Sequence, residues 1–160
     1  MEIYQSLLQT TENTRDLGGL VGADHTVTRY WSVLRSDVPL DPSASDVDLL
    51  RSHHITTIID MRDEPAIRQK PNGFVGREGF RVVSCPIVEG SEIPDSVAEV
   101  PHGYLRIAGS NGMGQALQVI ADLPEDEGVL FHCTAGKDRS GVLSVILLLL
   151  AGVSVRDVVT

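Results

Sequence analysis

His132-Cys133-Thr134-Ala135-Gly136-Lys137-Asp138-Arg139-Ser140-Gly141 is the stretch on which the reading of this 160-residue chain turns. On its amino side Val129-Leu130-Phe131 reads as a short buried strand; on its carboxyl side the apolar segment from Val142 to Ala151 reads as a helix through the core. A loop pinned between a strand and a buried helix has its backbone amides aimed at one point. Cysteine followed after five residues by arginine is what thiolate chemistry on a phosphate ester needs. The arc Thr134-Ala135-Gly136-Lys137-Asp138 can wrap its N–H groups around a dianion, and Gly136 permits the left-handed backbone that such a nest requires. A helix opening at Ser140 adds its positive end to the same spot. Arg139 closes the ring with a planar fork that matches two phosphate oxygens. Ser140 has two available roles, helix N-cap and hydroxyl donor to the Cys133 sulfur.

Other chemistries fit these residues poorly. A nucleotide-binding loop of the form Gly-x-x-x-x-Gly-Lys-Ser/Thr lacks its first glycine here, and Asp138 stands where the hydroxyl is required. A zinc site needs about four ligands in spaced pairs, whereas Cys85, the other cysteine, lies 48 residues from Cys133. A buried strand-end cysteine beside a capping serine leaves the remaining matched positions without a reason.

His-Cys-(five residues)-Arg-Ser-Gly resembles the signature loop of the cysteine-dependent protein tyrosine phosphatases. The Gly136-Lys137-Asp138-Arg139 version resembles one branch, the bacterial and fungal tyrosine/serine phosphatases that include dual- and triple-specificity enzymes acting on phosphoproteins and phosphoinositides. Asn13-Thr14-Arg15-Asp16-Leu17-Gly18-Gly19, Leu34-Arg35-Ser36, and Ile59-Asp60-Met61-Arg62 followed by Glu64 are similar to that branch's other landmarks, so the resemblance spans nearly the whole chain.

The resemblance implies an α/β fold, with a phosphotyrosine-phosphatase-like central sheet flanked by helices and the catalytic loop between a strand and a buried helix. One domain, residues 1–160, is expected, lacking the further C-terminal helices of related phosphatases. The expected substrate is a phosphorylated protein bearing phosphotyrosine, or phosphoserine or phosphothreonine. It is hydrolysed through a cysteinyl-phosphate, with inorganic phosphate as product and no metal or cofactor. The alternatives are a phosphoinositide phosphatase and a catalytically weak phosphate-binding module. Within the loop, the resemblance makes Asp138 the favoured general acid. The Trp-Pro-Asp motif of the better-known tyrosine phosphatases is missing, since Trp31 is followed by Ser32. Asp95 and Asp60 are the other candidates. Lys137 suits a second phosphate or an inositol headgroup, or is simply an exposed loop lysine, and His132 is expected to orient the loop and its sulfur.

With 42% hydrophobic residues the chain can bury a core of its own. A net charge of −9 argues against nucleic acid as a partner. Lys70 and Lys137 are the only lysines, which gives weight to a lysine inside the loop. Two cysteines without paired spacing fit a reducing compartment. Met1 to Arg15 lacks the pattern of a signal peptide, and the apolar run Val145–Ala151 is far shorter than the ~20 residues of a membrane span. A cytoplasmic protein without a transmembrane segment is expected, with signal-independent export left open.

Elsewhere two readings stand for Arg15 and Asp16: an ion pair fastening the Gly18-Gly19 turn, or a place beside the phosphate loop. Tyr30 to Leu34 reads as a strand, and Ser43-Ala44-Ser45 as the start of a helix carrying Val47, Leu49 and Leu50. The β-branched run Ile55-Thr56-Thr57-Ile58-Ile59 suits a central strand. At its carboxyl end Asp60 and Arg62 either share a crevice with Cys133 or, for Asp60, cap the following turn. The Pro- and Gly-interrupted stretch from Arg62 to Gly79 reads as a mobile flap. Phe80 to Ile87 reads as a strand with Cys85 as a small buried hydrophobe. Gly103 to Asp122 reads as helices interrupted at Asn111-Gly112, with Tyr104, Leu105, Ile107, Leu117, Val119 and Ile120 facing inward. A last helix, capped by Ser154, runs towards Thr160 and breaks off there.

Overall fold

In the computed structural model, which describes residues 5–90 and 96–159, four short parallel strands end side by side. They are β2 (Val33–Ser36), β3 (Ile55–Asp60), β4 (Arg81–Ser84) and β5 (Gly128–His132), with β1 (Arg15–Asp16) added antiparallel to β2. The sheet order is β1-β2-β5-β3-β4. The last strand in sequence is therefore inserted between β2 and β3. Across the carboxyl edge the register aligns Ser36 with His132, His132 with Asp60, and Asp60 with Ser84. Such an edge is where open α/β sheets bind ligands, and Cys133 leaves the sheet at its middle.

Alternate side chains of the strands build two cores, as the period-two geometry requires. Ile59, Val129 and Phe131 join Ile107, Met113, Ala116 and Leu143 on one face. On the other, Leu34, Ile58 and Leu130 join Val47, Leu50 and Phe74. The first face is covered by α3 (Val100–Ala108), α4 (Asn111–Ala121) and α5 (Asp138–Leu150); the second is covered by α1 (Ala44–Ser52). Two short helices, α2 (Glu64–Gln69) and α6 (Val155–Val158), and a single tight turn at Val97–Glu99 complete the elements. Ser43 caps α1 in a reciprocal box with Asp46, whose carboxylate also accepts the Gln9 amide at 2.6 Å and the Thr10 hydroxyl at 2.7 Å. That bond ties the amino-terminal segment to the second face. Among the described residues no helix is long and apolar enough to cross a membrane.

Several local expectations are revised. β2 starts at Val33, because Trp31 adopts a left-handed backbone and stacks on His53 at 3.8 Å, while Tyr30 is exposed. The helical break falls at Gly109-Ser110, where Ser110 caps α4, and Asn111-Gly112 form the first turn of that helix. Only Ile107 of α3 is fully buried; Tyr104 is 40% and Leu105 69% exposed. On α5, Leu143 and Leu148 are buried but Val145, Leu149 and Leu150 face solvent, so this apolar helix is buried along one side.

The stretch from Arg62 to Gly79 is anchored. It contains α2, capped by Asp63, and then Asn72 and Phe74, both buried. The Gly73 amide donates to the Pro39 carbonyl at 2.9 Å.

One close approach fixes α4. A Cβ on Gly112 would stand 2.1 Å from the Pro86 carbonyl oxygen, a backbone atom that cannot swing aside. Gly112→Ala should therefore destabilise the fold by about 1–3 kcal/mol, read as a lower urea midpoint.

Candidate active site

Burial of the β5 strand brings Cys133 to the centre of the carboxyl edge, and α5 begins only five residues later. The chain must therefore turn within a short arc. Gly136 supplies the turn with a left-handed backbone, φ +66°, and packs against Ser36 and Asp37 so tightly that a Cβ would lie 2.5 Å from the Asp37 nitrogen. Three successive carbonyls of the arc are held from outside. The Val38 amide donates to Thr134 O at 3.2 Å. Asn13 Nδ2 donates to both Ala135 O and Gly136 O at 3.1 Å, and Arg35 Nη2 donates to Gly136 O at 2.6 Å. These carbonyls are engaged outside, and on the inner side the amides of Ser140 and Lys137 lower the pKa of the Cys133 thiol.

The cysteine side chain is buried, 3% exposed, and the Ser140 hydroxyl donates to its sulfur at 3.2 Å. Burial by itself pushes the thiol pKa up. The hydroxyl and amide of Ser140, the charge of Arg139 and the amide of Lys137 outweigh it, so the thiol titrates below its ordinary value. Arg139 Nη1 lies 3.4 Å from the Met61 and Ile87 carbonyls, and Nη2 lies 3.4 Å from the Thr134 hydroxyl. These long contacts orient the guanidinium while leaving its donors available to an anion. The arc residues Thr134, Ala135, Lys137 and Asp138 are exposed, as a mouth open to solvent requires.

The helix opens two residues earlier than expected, at Asp138 with Lys137 as its cap residue. Ser140 lies inside the first turn, and its hydroxyl goes to the sulfur instead of capping. Asp138, at the helix N-terminus, accepts the Tyr104 hydroxyl at 2.9 Å; that bond to a carboxylate pushes the tyrosine pKa up.

Beneath the loop lies a dry polar cluster. Asp60 is 2% and Arg62 1% exposed, and the two form a bidentate pair, Nε to Oδ1 at 2.9 Å and Nη2 to Oδ2 at 2.6 Å. The Arg62 amide also donates to Asp60 Oδ1 at 3.1 Å, so this carboxylate closes the turn after β3. Arg62 Nη1 reaches the Lys70 carbonyl at 2.8 Å. His132, fully buried, places Nδ1 3.0 Å from the Cys133 carbonyl and Nε2 2.7 Å from Asn72 Nδ2. Burial lowers its pKa, Asp60 and the carbonyl bond raise it, and Arg62 lowers it again. The net shift is downward, so the ring is neutral near pH 7. Asp60 is thus enclosed under the loop, with no opening to a leaving group at the mouth. Asp95 lies outside the described residues.

Asp16 fastens the amino-terminal turn by accepting the Gly18 amide at 2.8 Å and the Trp31 amide at 2.9 Å. Arg15 is exposed on the edge strand, with Nε donating to Asn13 Oδ1 at 3.0 Å, and is one residue pair away from the loop through Asn13.

The sequence matches the model of the tyrosine phosphatase family over residues 7–160. The chain belongs to that family. It is 32% identical over 161 residues to a Cupriavidus necator protein provisionally named a tyrosine-protein phosphatase, covering 93% of this chain and 58% of that one. It is 42% identical over 151 residues to a Nostoc commune tyrosine-protein phosphatase, covering 91% of this chain and 45% of the relative. The chain thus spans about half the length of the curated relatives it matches. In fold it is similar to the crystal structure of P. aeruginosa TpbA, with a TM-score of 0.50 at 16% identity, over 83% of this chain and 68% of that one. These comparisons bear out the family resemblance and the α/β sheet flanked by helices.

Four residues outside the expected set also contact the loop or the cluster beneath it. Asn13 and Arg35 stand within landmarks of the sequence, but nothing in their spacing shows that they meet Gly136 across 123 and 101 residues. Asn72 falls within the stretch read as a flap, and Tyr104 reads as an inward-facing helical residue. The Cys133–Ser140 geometry has a direct consequence. In Ser140→Ala the sulfur loses the hydroxyl bond at 3.2 Å, so alkylation of Cys133 by iodoacetamide at pH 6 should slow several-fold while the fold persists.

Proposed function

We propose that this chain is a cysteine-dependent phosphatase that hydrolyses phosphate monoesters on proteins, phosphotyrosine foremost and phosphoserine or phosphothreonine where the side chain reaches. The observation that carries this reading is a buried Cys133 sulfur that accepts the Ser140 hydroxyl at 3.2 Å, with Arg139 alongside. In the proposed step the Cys133 thiolate attacks phosphorus in line. The S–P bond forms, the ester P–O bond breaks, and the leaving oxygen takes a proton from Asp138. Water then attacks the cysteinyl-phosphate, giving its proton back to Asp138. The S–P bond breaks, inorganic phosphate leaves and the thiolate returns.

Supporting roles follow from the same geometry. The amides of the Thr134–Arg139 arc and the Arg139 fork hold the phosphoryl oxygens. Lys137, exposed at the mouth, meets substrate charge. His132 orients the Cys133 peptide, with Asp60 and Arg62 holding the floor beneath it, and Arg15 and Asp16 maintain the amino-terminal brace. A lower thiol pKa raises the thiolate fraction but weakens the nucleophile, with a Brønsted slope of ~0.4–0.5, so the two effects largely offset. The rate rests on pre-placed donors, each worth roughly 10²–10³ in comparable anion holes.

One observation favours a second reading, a phosphoinositide phosphatase. A groove of about 850 Å³ runs from Arg15, Arg35 and Lys137 to the apolar side chains of Leu105, Val145 and Leu148. Asp16 and Asp138 line the same end, which keeps a net positive charge, and this end with the apolar length matches a phosphorylated headgroup on a lipid. Phosphate release from a phosphotyrosyl peptide compared with a short-chain phosphoinositide, at equal concentration, separates the two readings.

Phosphate release from a small aryl phosphate at pH 5–7 should be lost in Cys133→Ser. Equal release by both proteins would sink the cysteine mechanism, and binding of phosphate or vanadate without release by either would mark a binding module. Asp138→Asn should slow release of poor leaving groups, such as an alkyl phosphate, by at least tenfold more than that of p-nitrophenol. Equal slowing of both would move the acid role to another residue.

A further inference from the structure

The cluster under the loop contains a conflict that one residue resolves. The Cys133 carbonyl can only accept, so the nitrogen facing it, His132 Nδ1 at 3.0 Å, carries a proton. Whether Nε2 carries one too depends on its neighbours. Asp60 Oδ2, 3.5 Å away, favours a proton on Nε2. Asn72 favours the reverse. The Phe74 amide can only donate, and it donates to Asn72 Oδ1 at 2.8 Å, which fixes the side-chain amide with its oxygen towards Phe74. Asn72 Nδ2 therefore faces Nε2 at 2.7 Å and can only donate to it. Asp60 Oδ2, meanwhile, already accepts Arg62 Nη2 at 2.6 Å and lies farther from Nε2 than Asn72 does.

We propose that Asn72 is a positioning residue that holds His132 as the neutral Nδ1–H tautomer and so fixes the Cys133 carbonyl. Every neighbouring charge is accounted for. Asp60 on β3 pulls a proton to Nε2 and Arg62 opposes it; Asp37 after β2 acts on the ring from further off. On the sulfur side stand Arg139 of α5 and, from β2, Arg35. Full burial and the adjacent Arg62 disfavour a second proton on the ring, so the choice is between tautomers.

The Cys133 carbonyl and the Thr134 amide belong to one rigid peptide. Nδ1–H holds the carbonyl under the loop, and that orientation turns the Thr134 N–H towards the anion nest. If the proton sits on Nε2 instead, the Nδ1 lone pair opposes the carbonyl lone pairs, and the peptide turns away. Asn72 is carried by the 70–74 stretch, which the buried Phe74, the Arg62–Lys70 bond and the Gly73–Pro39 bond hold in place. Asn72, 60 residues from His132, thereby sets the geometry of the Cys133–Thr134 peptide. The inference rests on the proposed phosphatase reading only for its effect on turnover; the tautomer itself is a property of the resting protein.

The test is nitrogen-15 NMR of the His132 ring over pH 5–8, which needs no substrate. In the wild-type protein Nδ1 should have the shift of a protonated nitrogen and Nε2 that of a bare acceptor. A proton on Nε2 in the wild type would overturn the proposal without any variant. In Asn72→Leu the proton should move to Nε2, and alkylation of Cys133 at pH 6, followed by peptide mass mapping to separate it from Cys85, should slow several-fold. Asn72→Asp is nearly isosteric, replaces the donor facing Nε2 by a carboxylate, and should likewise place a proton on Nε2. A folded variant of either kind with an unchanged ring and unchanged alkylation would show that Asn72 is merely structural and refute the assignment. If the tautomer follows prediction but aryl phosphate is not hydrolysed even by the wild type, the phosphatase reading fails and the positioning role stands.

Discussion

The structure depends on keeping the peptides of a five-residue arc turned with their amides inward. A peptide left to itself between a buried strand and a helix has no reason to direct its N–H towards a sulfur and its carbonyl outward. Here the outward orientation is imposed by donors from elsewhere: Val38 on Thr134, Asn13 on Ala135 and Gly136, Arg35 on Gly136. Each comes from the β2 side of the sheet or the segment braced against it. Asn13 and Glu12 are themselves fixed because their amides donate to the Asp37 carboxylate. Gly136 completes the requirement, being the residue type that can take φ +66° while lying against the Ser36–Asp37 backbone. The nest is thus built as much by its outer supports as by the signature residues.

The floor of the site obeys a second constraint, the cost of burying charge. Asp60 and Arg62 are almost fully enclosed, and removing one partner of such a pair typically costs about 3–5 kcal/mol because the other is stranded without water. The bidentate geometry and the extra bond to Lys70 O keep that cost from arising. Replacing the pair by hydrophobic residues of similar volume need not harm stability. What an apolar replacement lacks is a fixed electrostatic surround for a neutral, oriented imidazole. The ion pair is better understood as defining the state of the ring above it than as a source of fold stability.

Much of this was legible in the sequence, though unevenly. The β-branched run Ile55–Ile59 and the apolar Val129–Phe131 were readable as central strands because both faces of an inner parallel strand are covered, leaving no polar alternation. Cys133, Gly136 and Arg139 were readable because their spacing is a local property of one loop. Residues that support the loop from a distance were not, since contacts across a hundred residues leave no periodic trace. Asn72 was hidden for a different reason: Pro-Asn-Gly has the composition of a solvent-exposed turn, and only the burial of Phe74 beside it makes it part of a core. The tail of α5 departs from its composition in the opposite sense. A run of six apolar residues, Val145 to Leu150, looks like a helix enclosed on all sides, yet a helix on the face of a single sheet has one side to bury. The sequence states how apolar a surface is and leaves open what covers it.

Long-range contacts and uncovered apolar surface meet at the groove beside the mouth of the loop. Leu105 and Val145, expected inside, instead form its apolar wall, while Arg15, Arg35 and Lys137 form its charged end. Arg35 therefore has two duties, since the same guanidinium that lines the groove donates to Gly136 O. An occupant that draws on the charge of Arg35 must compete with the arc for its donors. Arg139, by contrast, makes only long contacts and has donors to spare for phosphate. The molecule thus separates its arginines by how completely their hydrogen bonds are already used. Arg62 is bound to the floor through all three of its side-chain nitrogens, Arg35 is bound to the rim through Nη2 while its Nε is buried without a hydrogen-bond partner, and Arg139 is held in place by long contacts alone. That gradation places the transferable positive charge at the sulfur, where a phosphoryl group would sit, in a chain whose net charge of −9 would otherwise repel it.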